Sequence, residues 1–266
     1  MIHVENLKVT FNQGTPLENP VLRGLSLSIP EGQFVTVIGS NGAGKSTLLN
    51  VLSGEVEVQN GQVILDEQEI THWPVYKRST HIARVFQDPL TGTCESLSIE
   101  ENLALAQART KTRTLSRAAK KAYRSRFIAK LRTLQLGLEN RLTDKIGLLS
   151  GGQRQAVSLL MASLQPMKLL LLDEHTAALD PKTAKFILEL TDEIIRNEKL
   201  TALMVTHSMK QALSVGDRTI MLHQGQLVFD VEGEERSKMD VQALIDLFHK
   251  NDSQGSEIES DALLLS

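Results

Sequence analysis

A glycine-rich stretch with one lysine stands between an apolar run and a run with helical spacing. Its nine residues are Gly39, Ser40, Asn41, Gly42, Ala43, Gly44, Lys45, Ser46 and Thr47. The stretch fits G-x-x-x-x-G-K-[ST], a pattern that binds phosphate groups when it links a strand to a helix. The flanking runs argue against an accidental glycine-rich turn. The pattern predicts a nucleoside triphosphate site, with Lys45 at the β- and γ-phosphates and Ser46 on Mg²⁺.

Other polar groups also follow directly on apolar, strand-like runs. They are Gln87, the pair Asp173 and Glu174, and His207. Ligands bind beyond the carboxyl ends of strands in an open parallel sheet, so these groups and the phosphate loop are expected to converge on one mouth. Adjacent strand residues point to opposite sides, so one of the two carboxylates can face the Mg²⁺ shell and the other a water molecule.

The remaining chain is expected to supply the strands and helices that position these groups. Apolar alternation and short apolar runs predict strands at 2–11, 21–29, 33–38, 61–65, 82–86, 168–172, 200–206, 218–222 and 226–230, the last two as a hairpin. Helical spacing predicts helices after residue 47, at 97–108 and 116–136, after residue 149, and at 181–196, 208–214 and 241–250.

Composition limits the function classes. The net charge of -3 and pI of about 6.2 argue against nucleic-acid binding. A single cysteine, Cys94, suits a reducing compartment. The sequence presents neither a signal-peptide pattern nor an apolar run of about 20 residues, so a membrane role is expected to come from a partner chain.

In their order along the chain, these motifs resemble those of the ATP-binding cassette (ABC) ATPases, from about residue 2 to residue 233. The matching segments are Walker A at 39–47, the Q-loop at Gln87, the LSGGQ signature at 149–153, Walker B at 169–174, the D-loop at 178–180 and the switch histidine at His207. The resemblance implies an α/β fold with a P-loop NTPase core and a mainly parallel central sheet. It also implies an N-terminal antiparallel β subdomain and an inserted α-helical subdomain.

The resemblance also divides the chain. It implies an ABC ATPase domain at 1–236, with the helical subdomain inserted at about 91–165, and a C-terminal helix with an acidic, mobile tail at 237–266. Ten cations and no acid lie between Arg109 and Arg132. A solvated helix face is the favoured interpretation of these cations, and contact with anionic lipid headgroups is the alternative.

Roles for the site residues follow from the same resemblance. Residues 39–47 hold the phosphates of ATP, and Ser46, Gln87 and, through water, Asp173 hold Mg²⁺. Glu174 polarises the attacking water, His207 contacts the γ-phosphate, and Lys45 and Gln87 complete the catalytic set. The nucleotide-binding set also includes Phe11 beneath the adenine ring, Ser150, Gly151, Gly152, Gln153 and Asp180. Ser150 and Gly152 serve the opposite subunit, because this family sandwiches two ATP molecules between two head-to-tail cassettes.

Two positions depart from the family pattern. His175 follows Glu174 where the family usually has proline. The favoured interpretation is a tolerated surface substitution, and the alternative is a second titratable group near the attacking water. Phe11 replaces a more frequent tyrosine, so stacking on adenine should remain and a hydroxyl contact should be lost.

The implied function is the ATP-hydrolysing subunit of an ABC transporter that drives a separate membrane permease, as in bacterial importers of small, amino-acid-like solutes. The implied partners are permease subunits, a second ATPase subunit as a homodimer on ATP binding, and an extracytoplasmic substrate-binding protein, without nucleic acid. The subunit is expected at the cytoplasmic face of the inner or plasma membrane, as a peripheral protein. A soluble ABC ATPase, such as an iron–sulfur assembly component, is the alternative.

Overall fold

The structure is a computed structural model that describes residues 1–109 and 121–252. Its internal contacts divide the chain into two compact units, Met1–Arg78 with Lys199–Ser266 (unit 1) and Ser79–Glu198 (unit 2). The middle of the predicted basic segment and the predicted acidic tail lie outside the described residues.

The described residues form strands, helices and short 3-10 turns. The strands are β1 (Ile2–Phe11), β2 (Asn19–Ile29), β3 (Phe34–Ile38), β4 (Asn60–Leu65), β5 (Gln68–Glu69), β6 (Ile82–Val85), β7 (Leu169–Asp173), β8 (Ala202–Val205), β9 (Arg218–His223) and β10 (Gln226–Glu232). The helices are α1 (Lys45–Ser53), α2 (Val75–Arg78), α3 (Ile99–Gln107), α4 (Lys121–Thr133), α5 (Gly151–Ser163), α6 (Pro181–Glu198), α7 (Met209–Ser214), α8 (Gly233–Ser237) and α9 (Val241–Asp252). Short 3-10 turns occupy Leu138–Asn140 and Ile146–Leu148.

The strands described in unit 1 form two groups. The first is antiparallel in the order β2-β1-β4-β5, and the alternating burial along β2 matches a sheet with one face packed and one wet. The second has the order β10-β9-β3-β8, with β8 and β9 parallel to β3 and β10 closing the predicted hairpin. Every residue of β3 is buried, as expected for a central parallel strand.

The two ends of α1 are fixed differently. Arg78 is fully buried, and its guanidinium donates to the carbonyls of Leu52 at 3.0 Å and Thr71 at 2.6 Å, so it caps the carboxyl end of the helix. Burial lowers the pKa of Arg78 to about 10, which leaves the guanidinium charged at neutral pH. The amino end of α1 follows directly on the glycine-rich stretch.

The carboxyl-terminal helix α9 packs within unit 1. Leu244 of α9 is fully buried in a cluster with Ile38, Met209, Ala212 and Met221, which come from β3, α7 and β9. Because Ile38 directly precedes the glycine-rich stretch, α9 supports the strand that leads into it. The predicted division at residue 236 stays a prediction.

The described part of unit 2 combines two parallel strands with the helices α3, α4, α5 and α6. β6 pairs with β7 in parallel, with Val85 opposite Leu172, and the four leucines of β7 are all buried. Helices α3, α4 and α6 pack against α5. The parallel strands, the N-terminal antiparallel sheet and the helices between β6 and β7 confirm the predicted fold class.

Candidate functional site

The glycine-rich stretch leaves the carboxyl end of β3 and turns into α1. Gly39 has φ +148°, and a Cβ atom there would lie 2.2 Å from the carbonyl oxygen of Leu222 in β9. Only glycine can make this approach, because real Cβ atoms essentially never come within 3.0 Å of another heavy atom. The loop is therefore pressed directly against the backbone of β9.

The amino end of α1 is open to an anion. Gly44 caps the helix with no side-chain hydrogen bond, and Ser46 and Thr47 lie in the first turn. Lys45 is buried, and its Nζ donates to the carbonyl oxygens of Gly39 at 2.7 Å and Ser40 at 2.9 Å. An ammonium folded back into a loop of backbone N–H groups is a ready phosphate site. Of the other loop residues, Asn41, Gly42 and Ser46 are exposed and Ala43 is buried.

The turn between β9 and β10 braces the same loop from another side. The backbone N–H of Gly225 donates to the carbonyl of Ala43 at 3.1 Å, and its own carbonyl accepts from the N–H of Arg23 in β2 at 3.0 Å. The sequence marked residues 223–225 only as a hairpin turn. Nothing in the sequence indicated that this turn also contacts the phosphate loop.

His207 lies at the same sheet edge as the phosphate loop. Val205 of β8 is paired with Val37 of β3. Gly39, where the phosphate loop begins, and His207 each lie two residues beyond this pair. The N–H of Thr206 donates to the carbonyl of Val37 at 3.1 Å and fixes the end of β8. His207 is half-buried. It lies in sequence between Thr206, which makes this bond, and Ser208, which caps α7. Phe11 ends β1 and is 38% exposed, as a stacking platform requires.

Unit 2 brings Gln87, Asp173 and Glu174 to one sheet edge in the same way. Gln87 lies two residues beyond Val85, and Glu174 lies two residues beyond the register partner Leu172. Gln87 is exposed and both carboxylates are half-buried. The placement of polar groups just beyond parallel strand ends is thus found in each unit.

Asp173 and Glu174 differ in their surroundings. Oδ2 of Asp173 accepts from Nη2 of Arg84 in β6 at 2.6 Å. Glu174 has φ +45°, an uncommon value for a residue with a side chain, and its carbonyl accepts from the N–H of Ala177 at 2.9 Å. Such backbone outliers occur often at active sites, where the surrounding structure holds them. Arg84 was not predicted as a site residue, although its position as a lone arginine inside the apolar run 82–86 could have indicated a role.

The prediction that His175 is a surface substitution is wrong. His175 is 2% exposed, and its Nε2 lies 2.9 Å from Oγ1 of Thr191 on α6. The Thr191 hydroxyl lies 2.7 Å from the carbonyl of Ile187, to which it donates, so Nε2 of His175 carries the proton of the other bond. Burial lowers the pKa of His175 to about 4, so the imidazole is neutral at neutral pH. This also contradicts the alternative of a group titrating near neutral pH beside the attacking water.

The signature segment opens α5. Oγ of Ser150 accepts from the N–H of Gln153 at 3.3 Å, and Oε1 of Gln153 accepts from the N–H of Ser150 at 3.2 Å, which together form a capping box. A Cβ atom at Gly152 would lie 2.1 Å from Cγ2 of Thr183 on α6, whereas one at Gly151 would meet only Leu179 at 3.4 Å. Gly152 is therefore required for the close packing of α5 on α6.

Asp180 of the D-loop lies at the start of α6, before Pro181. Its Oδ1 accepts from the N–H of Thr183 at 3.1 Å. The side-chain hydrogen bond from Thr183, with the backbone one, holds the pKa of this exposed carboxyl below its usual value. Asp180 thus stays ionised and caps α6.

Several cations of the segment 109–132 have internal partners. Nη2 of Arg109 and Nη2 of Arg126 donate to carbonyls at the end of α5, those of Ala162 at 3.4 Å and Leu164 at 3.3 Å. Burial lowers the pKa of Arg109. The remaining described pairs are Arg124–Glu100 and Lys130–Glu198, both at 2.7 Å. Arg124 and Arg126 are exposed, in agreement with a solvated helix face. The bonds of Arg109 and Arg126 to the end of α5 also tie this segment to unit 2, which neither sequence interpretation included.

Comparison with known proteins identifies the family. The sequence profile of the family described as "ABC transporter" matches residues 22–177. The chain is also 45% identical over 248 residues to a tyrosine transport ATP-binding protein of Clostridioides difficile, covering 93% of this chain and 98% of that protein. The chain belongs to the ABC transporter family. It is the ATPase subunit of a transporter, as predicted, and it hydrolyses ATP.

Other relatives are more distant. This ABC ATPase is 31% identical over 230 residues to a spermidine/putrescine import ATP-binding protein of Haemophilus influenzae, covering 86% of this chain. It spans 57% of that relative's own length. Among solved structures, it is similar to a dimeric ATP-binding cassette in a post-hydrolysis state bound to ADP and Pi, with a TM-score of 0.75, 28% identity and coverage of 87% and 98% of the two chains.

The family pairs its ATPase subunits with membrane permeases and uses them as dimers. Among the residues that the structure describes, no helix is long and apolar enough to cross a membrane.

Proposed function

We propose that this ABC ATPase powers a bacterial importer of a small amino acid-like solute, with tyrosine as the first candidate. The observation that supports this substrate class is the 45% identity to a tyrosine transport ATP-binding protein along almost the whole of both chains. The polyamine-import relatives support the import direction more than the solute, because they share about a third of the aligned residues and extend well beyond this chain. The iron–sulfur assembly alternative receives no support from these relatives.

We assign the nucleotide contacts to the residues that the sequence singled out. Lys45 and the amides of residues 39–47 bind the phosphates, and Phe11 stacks on adenine. Two features support this: the amino end of α1 has no side-chain cap, and Phe11 is exposed. Glu174 orients and polarises the attacking water, while Gln87 and His207 contact the reacting phosphate region.

The residues proposed for Mg²⁺ have suitable chemistry. Ser46, Gln87 and, through water, Asp173 offer hydroxyl, amide and carboxylate oxygens, which are the donors that Mg²⁺ prefers. The carboxylate of Asp173 already holds a cation, because the Arg84 guanidinium donates to it at 2.6 Å. When bound, Mg²⁺ would neutralise phosphate charge, and the task of these residues is to orient it.

The remaining partners follow the family. We propose that two copies form a head-to-tail homodimer on ATP binding, in which Ser150, Gly151, Gly152, Gln153 and Asp180 act in the nucleotide site of the other copy. We also propose that the dimer binds its permease on the cytoplasmic face of the membrane, with an extracytoplasmic substrate-binding protein completing the importer.

Transport itself tests the solute. The subunit would be reconstituted in liposomes with its permease and a substrate-binding protein, and ATP-dependent uptake of labelled tyrosine and spermidine would be compared. Uptake of tyrosine that Glu174→Gln abolishes supports the proposal. Uptake of spermidine alone would replace the proposed solute, and uptake of neither by an ATP-hydrolysing complex would rule out tyrosine.

Mixing two inactive variants tests the shared site. Lys45→Ala fails at its own phosphate loop. Ser150→Arg leaves its own phosphate loop intact and damages the site that it completes in its partner, although it also removes the side-chain cap of α5. A mixed dimer contains one site with both elements intact, so the mixture should hydrolyse ATP or dimerise with ATP. Lys45→Ala mixed with the double variant Lys45→Ala,Ser150→Arg is the control and should do neither. If the first mixture behaves like this control while each protein stays folded, Ser150 does not act in the partner's site.

A further inference from the structure

Arg84 and Asp173 form an ion pair at the sheet edge of unit 2. Arg84 in β6 stands opposite Leu171 in β7, and Asp173 lies two residues further along β7 on the same face. The guanidinium reaches along the strand, and Nη2 donates to Oδ2 at 2.6 Å. The side chains are 10% and 15% exposed, so water screens the pair only weakly.

The guanidinium has a second contact on the same side. It lies over the ring of Phe86, 4.8 Å from its centroid. The carbonyl of Phe86 accepts from Nε2 of Gln155 at 3.2 Å, and Gln155 is fully buried in α5. Phe86 is thus fixed by the signature helix, and it offers the cation an attractive surface that does not depend on Asp173.

An arginine keeps its positive charge at every physiological pH. The cation beside Asp173 therefore cannot be removed by deprotonation, but only by movement of the side chain. A metal ion held by this carboxylate, even through one water molecule, would lie close to the guanidinium, and like charges repel strongly in a partly buried place. Two cations would then be drawn to one carboxylate.

We propose that Arg84 is the resident counter-ion of Asp173 and a positioning residue that competes with Mg²⁺ for this carboxylate. The inference rests on the proposed binding of Mg²⁺·ATP. Mg²⁺ alone is held off by Arg84, whereas the phosphate charges of ATP tip the competition toward the metal. The guanidinium then remains on the ring of Phe86. Arg84 thereby sets the Mg²⁺ concentration at which the nucleotide is retained.

Nucleotide binding without turnover tests this role. All variants would carry Glu174→Gln, and the fluorescence of trinitrophenyl-ATP at a fixed concentration would be followed as Mg²⁺ is added. Arg84→Gln should lower the half-saturating Mg²⁺ concentration about fivefold, the scale of an ion pair worth about 1 kcal/mol. Arg84→Lys keeps the charge and should stay near the parental value. Arg124→Gln breaks the ion pair with Glu100 in the same unit and is the matched control without a shift.

A melting experiment without nucleotide gives an independent readout. Arg84→Gln and Arg84→Met should melt below the parent, because Asp173 loses its cation, and Mg²⁺ alone should restore part of the difference. Mg²⁺ alone should not raise the melting temperature of the parent. Met keeps an apolar chain over Phe86, so it serves if Gln fails to fold.

The outcomes separate the two claims. If the parent binds the nucleotide in a Mg²⁺-dependent way but both neutral variants titrate like the parent, the competition is refuted and the proposed function stands. If the parent binds the nucleotide with no dependence on Mg²⁺, the proposed use of Asp173 fails first. A shift in Arg124→Gln equal to that in Arg84→Gln would show a general effect of lost charge and would also refute the inference.

Discussion

The packing of Gly152 against Thr183 gives a prediction that separates two reasons for a glycine in the signature. A new Cβ atom in Gly152→Ala would lie 2.1 Å from Cγ2 of Thr183, roughly 1.3 Å short of ordinary contact. Thr183 is β-branched and held at the start of α6 by Asp180, so it cannot turn away freely. We expect Gly152→Ala to lower the free energy of unfolding by about 1–3 kcal/mol, the usual cost of overpacking.

Two further variants make this prediction sharp. Thr183→Ser removes Cγ2 and keeps the hydroxyl that serves Asp180, so the double variant Gly152→Ala,Thr183→Ser should recover most of the lost stability. Gly151→Ala is the matched control, because its Cβ would make only ordinary contact, and it should change stability by less than about 0.5 kcal/mol. Urea unfolding of the four proteins gives the comparison.

The ATPase rate of the double variant then assigns the role of the glycine. Recovery of both stability and turnover would mean that Gly152 is needed for packing inside its own subunit. Recovery of stability alone would mean that the missing side chain also makes room for the partner's nucleotide. Failure of Thr183→Ser to restore any stability would refute the clash on which the prediction rests.

Three other changes have defined outcomes. Phe11→Ala should weaken ATP binding by about 1–3 kcal/mol in a nucleotide titration and Phe11→Trp should keep it, since stacking needs only an aromatic face; unchanged binding in Phe11→Ala would move the adenine platform elsewhere. Leu244→Ala should cost about 2–5 kcal/mol in urea unfolding because it opens a cavity beneath Ile38, and a neutral result would contradict the packing of α9. His175 should make the nucleotide-free protein lose about 2 kcal/mol of stability between pH 7 and pH 5. In the unfolded chain the imidazole has an ordinary pKa of 6.5, and in the folded protein its pKa is about 4. Between these two values the unfolded chain binds a proton that the folded protein does not. This contribution to stability is therefore complete above pH 6.5 and is lost as the pH falls toward 4. His175→Gln should lack this part of the pH dependence, and parallel curves for the two proteins would refute it.

Much of the architecture could be predicted because its signals are local. The run of leucines in β7 identified a strand buried on both faces, and its end fixed where Asp173 must lie. The polar groups beyond β3, β6, β7 and β8 followed from the same reasoning. The short elements β5, α2 and α8 were missed, because they lie in polar stretches without a clear periodicity.

The contacts that fix the site could not be predicted, because they join distant residues. The bond from Arg84 to Asp173 depends on the register of two strands 89 positions apart in sequence. The burial of His175 depends on α6, because that helix places Thr191, 16 positions later in the sequence, within hydrogen-bond distance of the imidazole. A single sequence reports the type of each residue but not the neighbour that gives it a role.

The brace between Gly225 and Ala43 affects how the protein can be engineered. A tight hairpin turn is normally a first choice for inserting an affinity tag, a fluorophore or new chain ends, since exposed turns tolerate added residues. Here the turn donates a hydrogen bond to the loop proposed to bind phosphate, so an insertion at residues 223–225 would disturb ATP affinity rather than report on it. A label in this turn should therefore weaken the binding that it was meant to measure.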